Sequence, residues 1–160
     1  MDDLSDNGKL TESVLPFISP ISYPHDPGQS GMRITIASRF EELEKVVDAA
    51  ESFYASLLSD SDRVFVGVLL VSEAVSNAIE HGNGNDPSKR VTIEFRHDDS
   101  RTECWVEDEG DGFDRDAIAD PLASENLLED GGRGIFLLER MADEVVYENG
   151  GRRIGIVLTI

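Results

Sequence analysis

Three short motifs follow one another in the C-terminal two-thirds of the chain, and they constrain its fold more than any other feature. They read EAVSNAIEH at Glu73–His81, DEGDGF at Asp108–Phe113 and GGRGIFL at Gly131–Leu137. Each motif is weak evidence when it stands alone. Three independent accidents in this order and spacing are improbable, so we expect the motifs to form one site.

The pattern of apolar residues predicts the elements that carry these motifs. Apolar residues recur at helical spacing over residues 40–57 and residues 62–81, and the second helix should end at Gly82. Shorter segments predict strands over residues 32–37, 90–97, 102–108, 144–148 and 153–160. One covered and one wetter strand face predict a mainly antiparallel, mixed sheet of about five strands with helices on one face. The fold class is thus α/β in the broad sense, an α+β two-layer sandwich.

The charge of the chain excludes several classes of partner. Its 160 residues include 33 acidic and 14 basic side chains, which gives a net charge of −19. Such a surface repels nucleic-acid phosphates and anionic lipids, so we expect neither nucleic acid nor a membrane as a partner. The apolar run Val64–Val71 is too short to span a bilayer. The single cysteine, Cys104, forms no internal disulfide, and we expect a cytoplasmic protein.

The first thirty residues differ from the rest of the chain. Four of the six prolines lie there among serine, aspartate and glycine, without sustained periodicity. We interpret residues 1–30 as a flexible or loosely docked extension and residues 31–160 as one domain. A few apolar side chains are able to pin part of the extension to the domain surface: Leu15, Phe17, Ile18 and Ile21.

The first motif places a polar stripe on an otherwise apolar helix. Glu73 and Asn77 are one turn apart on this stripe and point to a common region. An asparagine oxygen suits Mg²⁺, which commonly takes few protein ligands together with phosphate and water. Glu73 would then lie within reach of a nucleophile that attacks a γ-phosphate, and would accept its proton. The alternative is a stripe that simply faces solvent.

The second motif follows a strand and places a carboxylate on its covered face. Asp108 is in phase with Cys104 and Val106, so its carboxylate should point to the covered face instead of to water, and a buried carboxylate requires a partner. The exocyclic amine of adenine is such a donor, whereas guanine has an acceptor at that position. Gly110 and Gly112 allow close backbone approach. The alternative is an acidic glycine-rich turn that only closes the strand.

The third motif introduces a helix through glycines. Gly131, Gly132 and Gly134 stand just before an apolar helical run, and Arg133 adds a positive charge. The free N–H groups and the positive end of such a helix suit a polyphosphate. The alternative is a flexible hinge before a core helix.

Together the motifs resemble the N, G1 and G2 boxes of the GHKL (Bergerat-fold) ATPases over roughly residues 33–160. The resemblance implies a Bergerat fold that binds ATP and Mg²⁺, with Glu73 as the catalytic base and Asn77 as the metal ligand. It implies a nucleotide lid over Asp114–Asp130. The nucleotide-binding residues that it implies are Asn77, His81, Asp108, Gly110, Gly112, Gly132, Arg133, Gly134 and Ile135.

Within that superfamily the compact chain is similar to the anti-sigma-factor serine kinases. The resemblance implies an enzyme that holds a sigma factor, phosphorylates a serine of an antagonist protein and forms a homodimer. Two alternatives remain: a non-catalytic switch that sequesters a partner when ATP or ADP is bound, and a catalytic module that serves a histidine kinase in trans. One departure stands out, because family members often have a Gly-Thr pair entering the last strand, and this chain reads Gly151-Arg152-Arg153-Ile154-Gly155 there.

Overall fold

A six-stranded antiparallel sheet forms one layer of the molecule. The computed structural model describes residues 17–22, 29–114 and 130–160. Within them the strand order is β1-β2-β3-β4-β6-β5, and every neighbouring pair is antiparallel. The strands are β1 (Phe17–Ser22), β2 (Ser30–Ala37), β3 (Arg90–His97), β4 (Arg101–Glu107), β5 (Glu144–Glu148) and β6 (Arg153–Thr159). The predicted α+β class is confirmed.

The sheet has one strand more than expected, because β1 lies within the predicted N-terminal extension. It pairs with β2 along its whole length, from Phe17 opposite Thr35 to Ser22 opposite Ser30. Pro20 interrupts the sequence pattern of a strand, but an edge strand tolerates proline because one side of its backbone pairs with nothing. Residues 1–16 and 23–28 lie outside the described part of the chain.

The second layer contains the helices. α1 (Leu43–Leu57) follows a 3-10 turn at Phe40–Glu42, and α2 (Ser61–Asn77) continues into a π-helical turn at Ala78–Gly82. The Asp60 carboxylate caps α2 by accepting the Asp62 N–H at 2.9 Å. α3 (Asp130–Met141) then leads into β5. The helices predicted over residues 40–57 and residues 62–81 are both confirmed, and the predicted end of the second at Gly82 is correct.

The core lies between the helices and one face of the sheet. Val91, Ile93 and Phe95 of β3 are fully buried there, as the alternation of β3 predicts. From α1 the fully buried ring of Tyr54 packs against Gly67 of α2, where a β-carbon would lie 2.8 Å from the ring. This close contact brings α1 onto α2 and fixes the direction of α2 toward the site.

The opposite face of the sheet is drier than predicted. Glu94 and Trp105 on this face are only 4% and 8% exposed. Glu94 accepts hydrogen bonds from three arginines, Arg33, Arg96 and Arg153. The guanidinium of Arg153 also lies 4.8 Å from the centroid of the Trp105 ring. Arginine side chains therefore cover this face, which alternation alone does not reveal.

The predicted lid, Asp114–Asp130, lies outside the described residues except for its two ends. Ser61–Gly82 is long and apolar enough to cross a membrane by length and composition. Its residues Leu70, Val71 and Val75 are nevertheless fully buried in the core, so here the segment is a core helix.

Candidate nucleotide-binding site

The first motif lies where α2 changes from an α-helix to a π-helix. Asn77 is the last residue of the α-helical part, and the π-helical turn Ala78–Gly82 follows directly. Short π-helical turns are rare and frequently occur at functional sites. Glu73 lies one turn before Asn77 on the same face and is partly exposed. Among the residues that the structure describes, the Glu73 side chain forms no hydrogen bond or ion pair.

The third motif lies directly against the first. A β-carbon added to Gly134 of α3 would lie 2.6 Å from Nδ2 of Asn77, so only glycine leaves room for this amide. Gly131–Gly134 form the beginning of α3 instead of preceding the helix, as the sequence analysis expected. The first four N–H groups of a helix have no partner within it, and Gly131 and Gly132 lie in that first turn.

The second motif meets the end of the first. The carboxylate of Asp108 lies beside Gly82, where a β-carbon would overlap it, and the carbonyl oxygen of Gly82 fills the space that a β-carbon of Gly110 would need. The Gly110 N–H donates to Oδ1 of Asp108 at 2.8 Å. Asp108 is therefore enclosed by two glycine backbones, one directly after the first motif and one within the second.

Burial and neighbouring groups shift the pKa of Asp108 in opposite directions. Burial raises its pKa above the ordinary value, against the Gly110 N–H hydrogen bond and the nearby Arg152 guanidinium, which lower it. A partly buried carboxylate with one protein donor retains lone pairs for a donor from a ligand. The expectation that Asp108 points toward the covered side is consistent with this geometry.

The second glycine of the second motif packs against the turn between β5 and β6. Gly112 has a φ of +80°, and a β-carbon there would overlap the carbonyl oxygen of Gly150. That same oxygen accepts the N–H of Phe113 at 2.9 Å. The glycine-rich loop is thus held on one side by the end of α2 and on the other by the β5–β6 turn.

The other predicted residues lie at the rim or under the site. His81 is largely exposed and its Nε2 lies 4.0 Å from a Glu80 oxygen. Arg133 is exposed on α3, and Ile135 is only 6% exposed with its side chain in the core. Gly132 lies in the first turn of α3. The structure therefore brings all three motifs together, with Asn77 and Asp108 at their contacts.

Sequence reasoning missed two residues of this region. Arg152 belongs to the segment that departs from the family pattern, and its carbonyl oxygen accepts the N–H of Asp108 at 3.0 Å. Asn83 is 2% exposed; its Nδ2 donates to the Arg90 carbonyl oxygen, and its Oδ1 accepts the N–H of Glu109. Asn83 lies in the segment HGNGNDP, which reads as an ordinary loop, and no local pattern distinguishes it.

Asn77 is the residue of this site that fits a divalent cation. Its Nδ2 is buried and has no hydrogen-bond partner among the described residues, and rotation of the amide exchanges nitrogen and oxygen. No group of three or more His, Cys, Asp or Glu side chains in the described part of the chain is arranged to hold a metal. A magnesium ion here would therefore take most of its ligands from phosphate and water.

The family of the chain follows from sequence comparison. A family model described as the histidine kinase-like ATPase domain matches residues 36–159, which is most of the chain. The chain belongs to the histidine kinase-like ATPase domain family, as the three motifs predict.

Individual relatives carry narrower names. A protein named serine-protein kinase RsbW from Bacillus subtilis (strain 168) is 37% identical over 87 residues, covering 51% of this chain and 54% of that protein. A protein named anti-sigma F factor from Geobacillus stearothermophilus is 35% identical over 120 residues, covering 74% of this chain and 81% of that protein. The chain thus spans about half the length of the first relative and about four fifths of the second.

Proposed function

We propose that this protein is an ATP-dependent serine kinase that acts on a protein antagonist and also holds a sigma factor inactive. The names of the two relatives, serine-protein kinase RsbW and anti-sigma F factor, support both halves of this proposal. The observation that carries it is the contact of Asn77, one helical turn after Glu73, with Gly134 of α3, together with the enclosure of Asp108 by Gly82 and Gly110.

ATP is the substrate that this arrangement suits. The adenine amine donates to the free lone pairs of Asp108, and the N–H groups at the beginning of α3 donate to the phosphates. Asn77 would hold a magnesium ion through its amide oxygen. Bound magnesium would neutralise part of the triphosphate charge, which a chain of net charge −19 otherwise repels.

Glu73 is the residue that we assign to proton transfer. Its carboxylate has no partner in the described part of the chain and lies one helical turn from Asn77. It therefore remains available to accept the proton of a serine hydroxyl while the serine oxygen bonds to the γ-phosphorus and ADP leaves. A protein that only sequesters its partner has no use for such a base.

The variant Glu73→Gln tests the kinase. Glutamine keeps the size and helix propensity of glutamate but is not a useful base, so ATP affinity should persist while phosphate transfer to an antagonist protein falls by roughly 10²–10⁴-fold. Glu80→Gln is the matched control, because Glu80 lies on the same stripe and is exposed. Both quantities are measured with labelled ATP and antagonist proteins encoded by neighbouring genes.

Each outcome of that experiment separates two functions. Undiminished transfer in Glu73→Gln removes Glu73 from the mechanism. If the wild type transfers no phosphate to any antagonist but still binds ATP and a sigma factor, the protein is a nucleotide-dependent switch without catalysis. Transfer to a histidine of a separate protein would instead identify a catalytic module of a histidine kinase.

The proposal includes a cytoplasmic homodimer. Phe40 belongs to the helix predicted over residues 40–57 and lies in the 3-10 turn that precedes α1. Its side chain is an exposed aromatic group, with 47% of the residue accessible. The apolar residues of α1 itself that define its buried face, Val46, Ala50 and Tyr54, are fully buried. A contact between two copies through the predicted first helix would therefore involve Phe40 and not the apolar face of α1. Sedimentation of the wild type and of Phe40→Ser measures this directly.

A further inference from the structure

Asn83, Arg90 and Glu109 form a closed ring of hydrogen bonds beside the proposed adenine site. The Asn83 Nδ2 donates to the Arg90 carbonyl oxygen at 2.9 Å. The Arg90 N–H donates to Oε2 of Glu109 at 2.6 Å, and the Glu109 N–H donates to Oδ1 of Asn83 at 2.8 Å. The ring joins the end of α2, the first residue of β3 and the loop that follows β4.

Two members of the ring are direct chain neighbours of the residues that enclose Asp108. Asn83 follows Gly82, and Glu109 lies between Asp108 and Gly110. The Asn83 N–H also donates to the Ala78 carbonyl oxygen at 2.8 Å, which ties the ring to the π-helical turn. A shift of either loop therefore moves Gly82 relative to Gly110, and with it the space around the Asp108 carboxylate.

We propose that Asn83 is a positioning residue for purine recognition, which it serves through Arg90 and Glu109. This inference rests on the proposed binding of ATP at Asp108. Asn83 does not touch the nucleotide; it fixes the distance between the two glycine backbones so that the Asp108 carboxylate presents its lone pairs in one direction. Hydrogen bonds of a buried asparagine are well suited to this, since the unpaired groups left by their loss are costly.

The test compares affinities for ATP and GTP by calorimetry with magnesium present. Asn83→Ala should weaken ATP binding by roughly 10-fold or more and GTP binding much less, because the loss falls on base recognition. The preference for ATP over GTP should therefore fall, whereas the ratio of ATP to ADP affinity should persist. A residue that only stabilises the fold would change all nucleotides alike.

Four further variants make the result specific. Glu109→Gln keeps an acceptor for the Arg90 N–H and should retain the preference, while Glu109→Ala removes it at an exposed position and should lower the preference. Arg90→Ala should have no effect, because only the backbone of Arg90 takes part in the ring. Thr102→Val removes a buried hydrogen bond at the far end of β4 and should lower the unfolding temperature without changing the preference.

The outcomes are distinct. Wild-type preference for ATP over GTP in Asn83→Ala overturns this inference and leaves the proposed function intact. If Asn83→Ala does not fold, an unchanged preference in Glu109→Ala overturns the inference in its place. A wild-type protein that binds no ATP overturns the proposed function and this inference with it.

Discussion

Gly134 lies against the side-chain amide of Asn77 so closely that a methyl group at position 134 would displace it. Alanine is favoured over glycine within a helix by roughly 0.5–1 kcal/mol, which offsets part of the cost of displacing the amide, so Gly134→Ala should change the unfolding temperature little. It should nevertheless weaken binding of ATP with magnesium, because the Asn77 amide must move. Calorimetry and thermal unfolding of the same preparation check both statements. A variant that is destabilised in proportion to its loss of affinity would contradict them.

Asn77→Ala should weaken binding of ATP with magnesium more than binding of ADP without metal. The reason is that the amide of Asn77 is assigned to the cation and not to the base. The measurement is calorimetric titration with each nucleotide, in the presence of magnesium or of a chelator. Ser76→Ala, on the same helix face, is the control. Equal losses for both nucleotides would assign Asn77 to the structure of α2 instead.

Asp108→Asn should raise the unfolding temperature at neutral pH and weaken ATP binding. Burial raises the pKa of Asp108 above its ordinary value of 3.8. Below pH 3.8 the carboxyl group is protonated in both the folded and the unfolded chain and costs the fold nothing. As the pH rises through the folded-state pKa, the buried group ionises and stability is lost. At neutral pH the ionised carboxylate therefore destabilises the fold. The variant should unfold at a higher temperature than the wild type at pH 7, but bind ATP more weakly by about 1–3 kcal/mol.

The same variant tests the assignment of adenine. Asparagine presents one acceptor and one donor where aspartate presents acceptors only, so the preference for ATP over GTP should decrease. Unchanged affinity and unchanged preference would show that Asp108 does not contact the base.

Glu94→Gln should lower the free energy of unfolding at neutral pH by roughly 2–3 kcal/mol, since it weakens charge-assisted hydrogen bonds. Burial opposes ionisation of Glu94, but the hydrogen bonds from Arg96 and Arg33 and the charge of Arg153 outweigh it and lower the pKa from 4.5 to about 2. This contribution is present above pH 4.5 and disappears as the pH falls toward 2. Denaturant unfolding at several pH values should show the difference between variant and wild type shrinking in acid. Glu41→Gln, at an exposed position, should show none.

The elements of the fold were largely predictable because they depend on local periodicity. β3 and β5 begin and end where the alternation of their residues places them, and α2 ends at its glycine. β1 was missed because Pro20 interrupts the pattern, and an edge strand depends on its partner more than on its own residues. The arginine cover of Glu94 depends on three strands at once, which no single segment encodes.

The site, too, contains residues that the sequence predicts and residues that it does not. Glu73, Asn77 and Asp108 carry their chemistry in short motifs, so their meeting was predictable from order and spacing. Asn83 was not predictable, because its partners lie 7 and 26 residues away along the chain. Arg152 was recognised only as a departure from the family, and its backbone contact with Asp108 became visible only in the folded chain.

The contact of Gly112 and Phe113 with Gly150 has a consequence for synthesis of the protein. The glycine-rich loop is supported by a turn that lies about forty residues later, and the Asp108 N–H donates to the carbonyl oxygen of Arg152, directly before the last strand. A chain still emerging from the ribosome lacks these supports until β6 has been made. ATP should therefore not bind to a nascent chain that lacks β6, and should bind only after β6 has been synthesised.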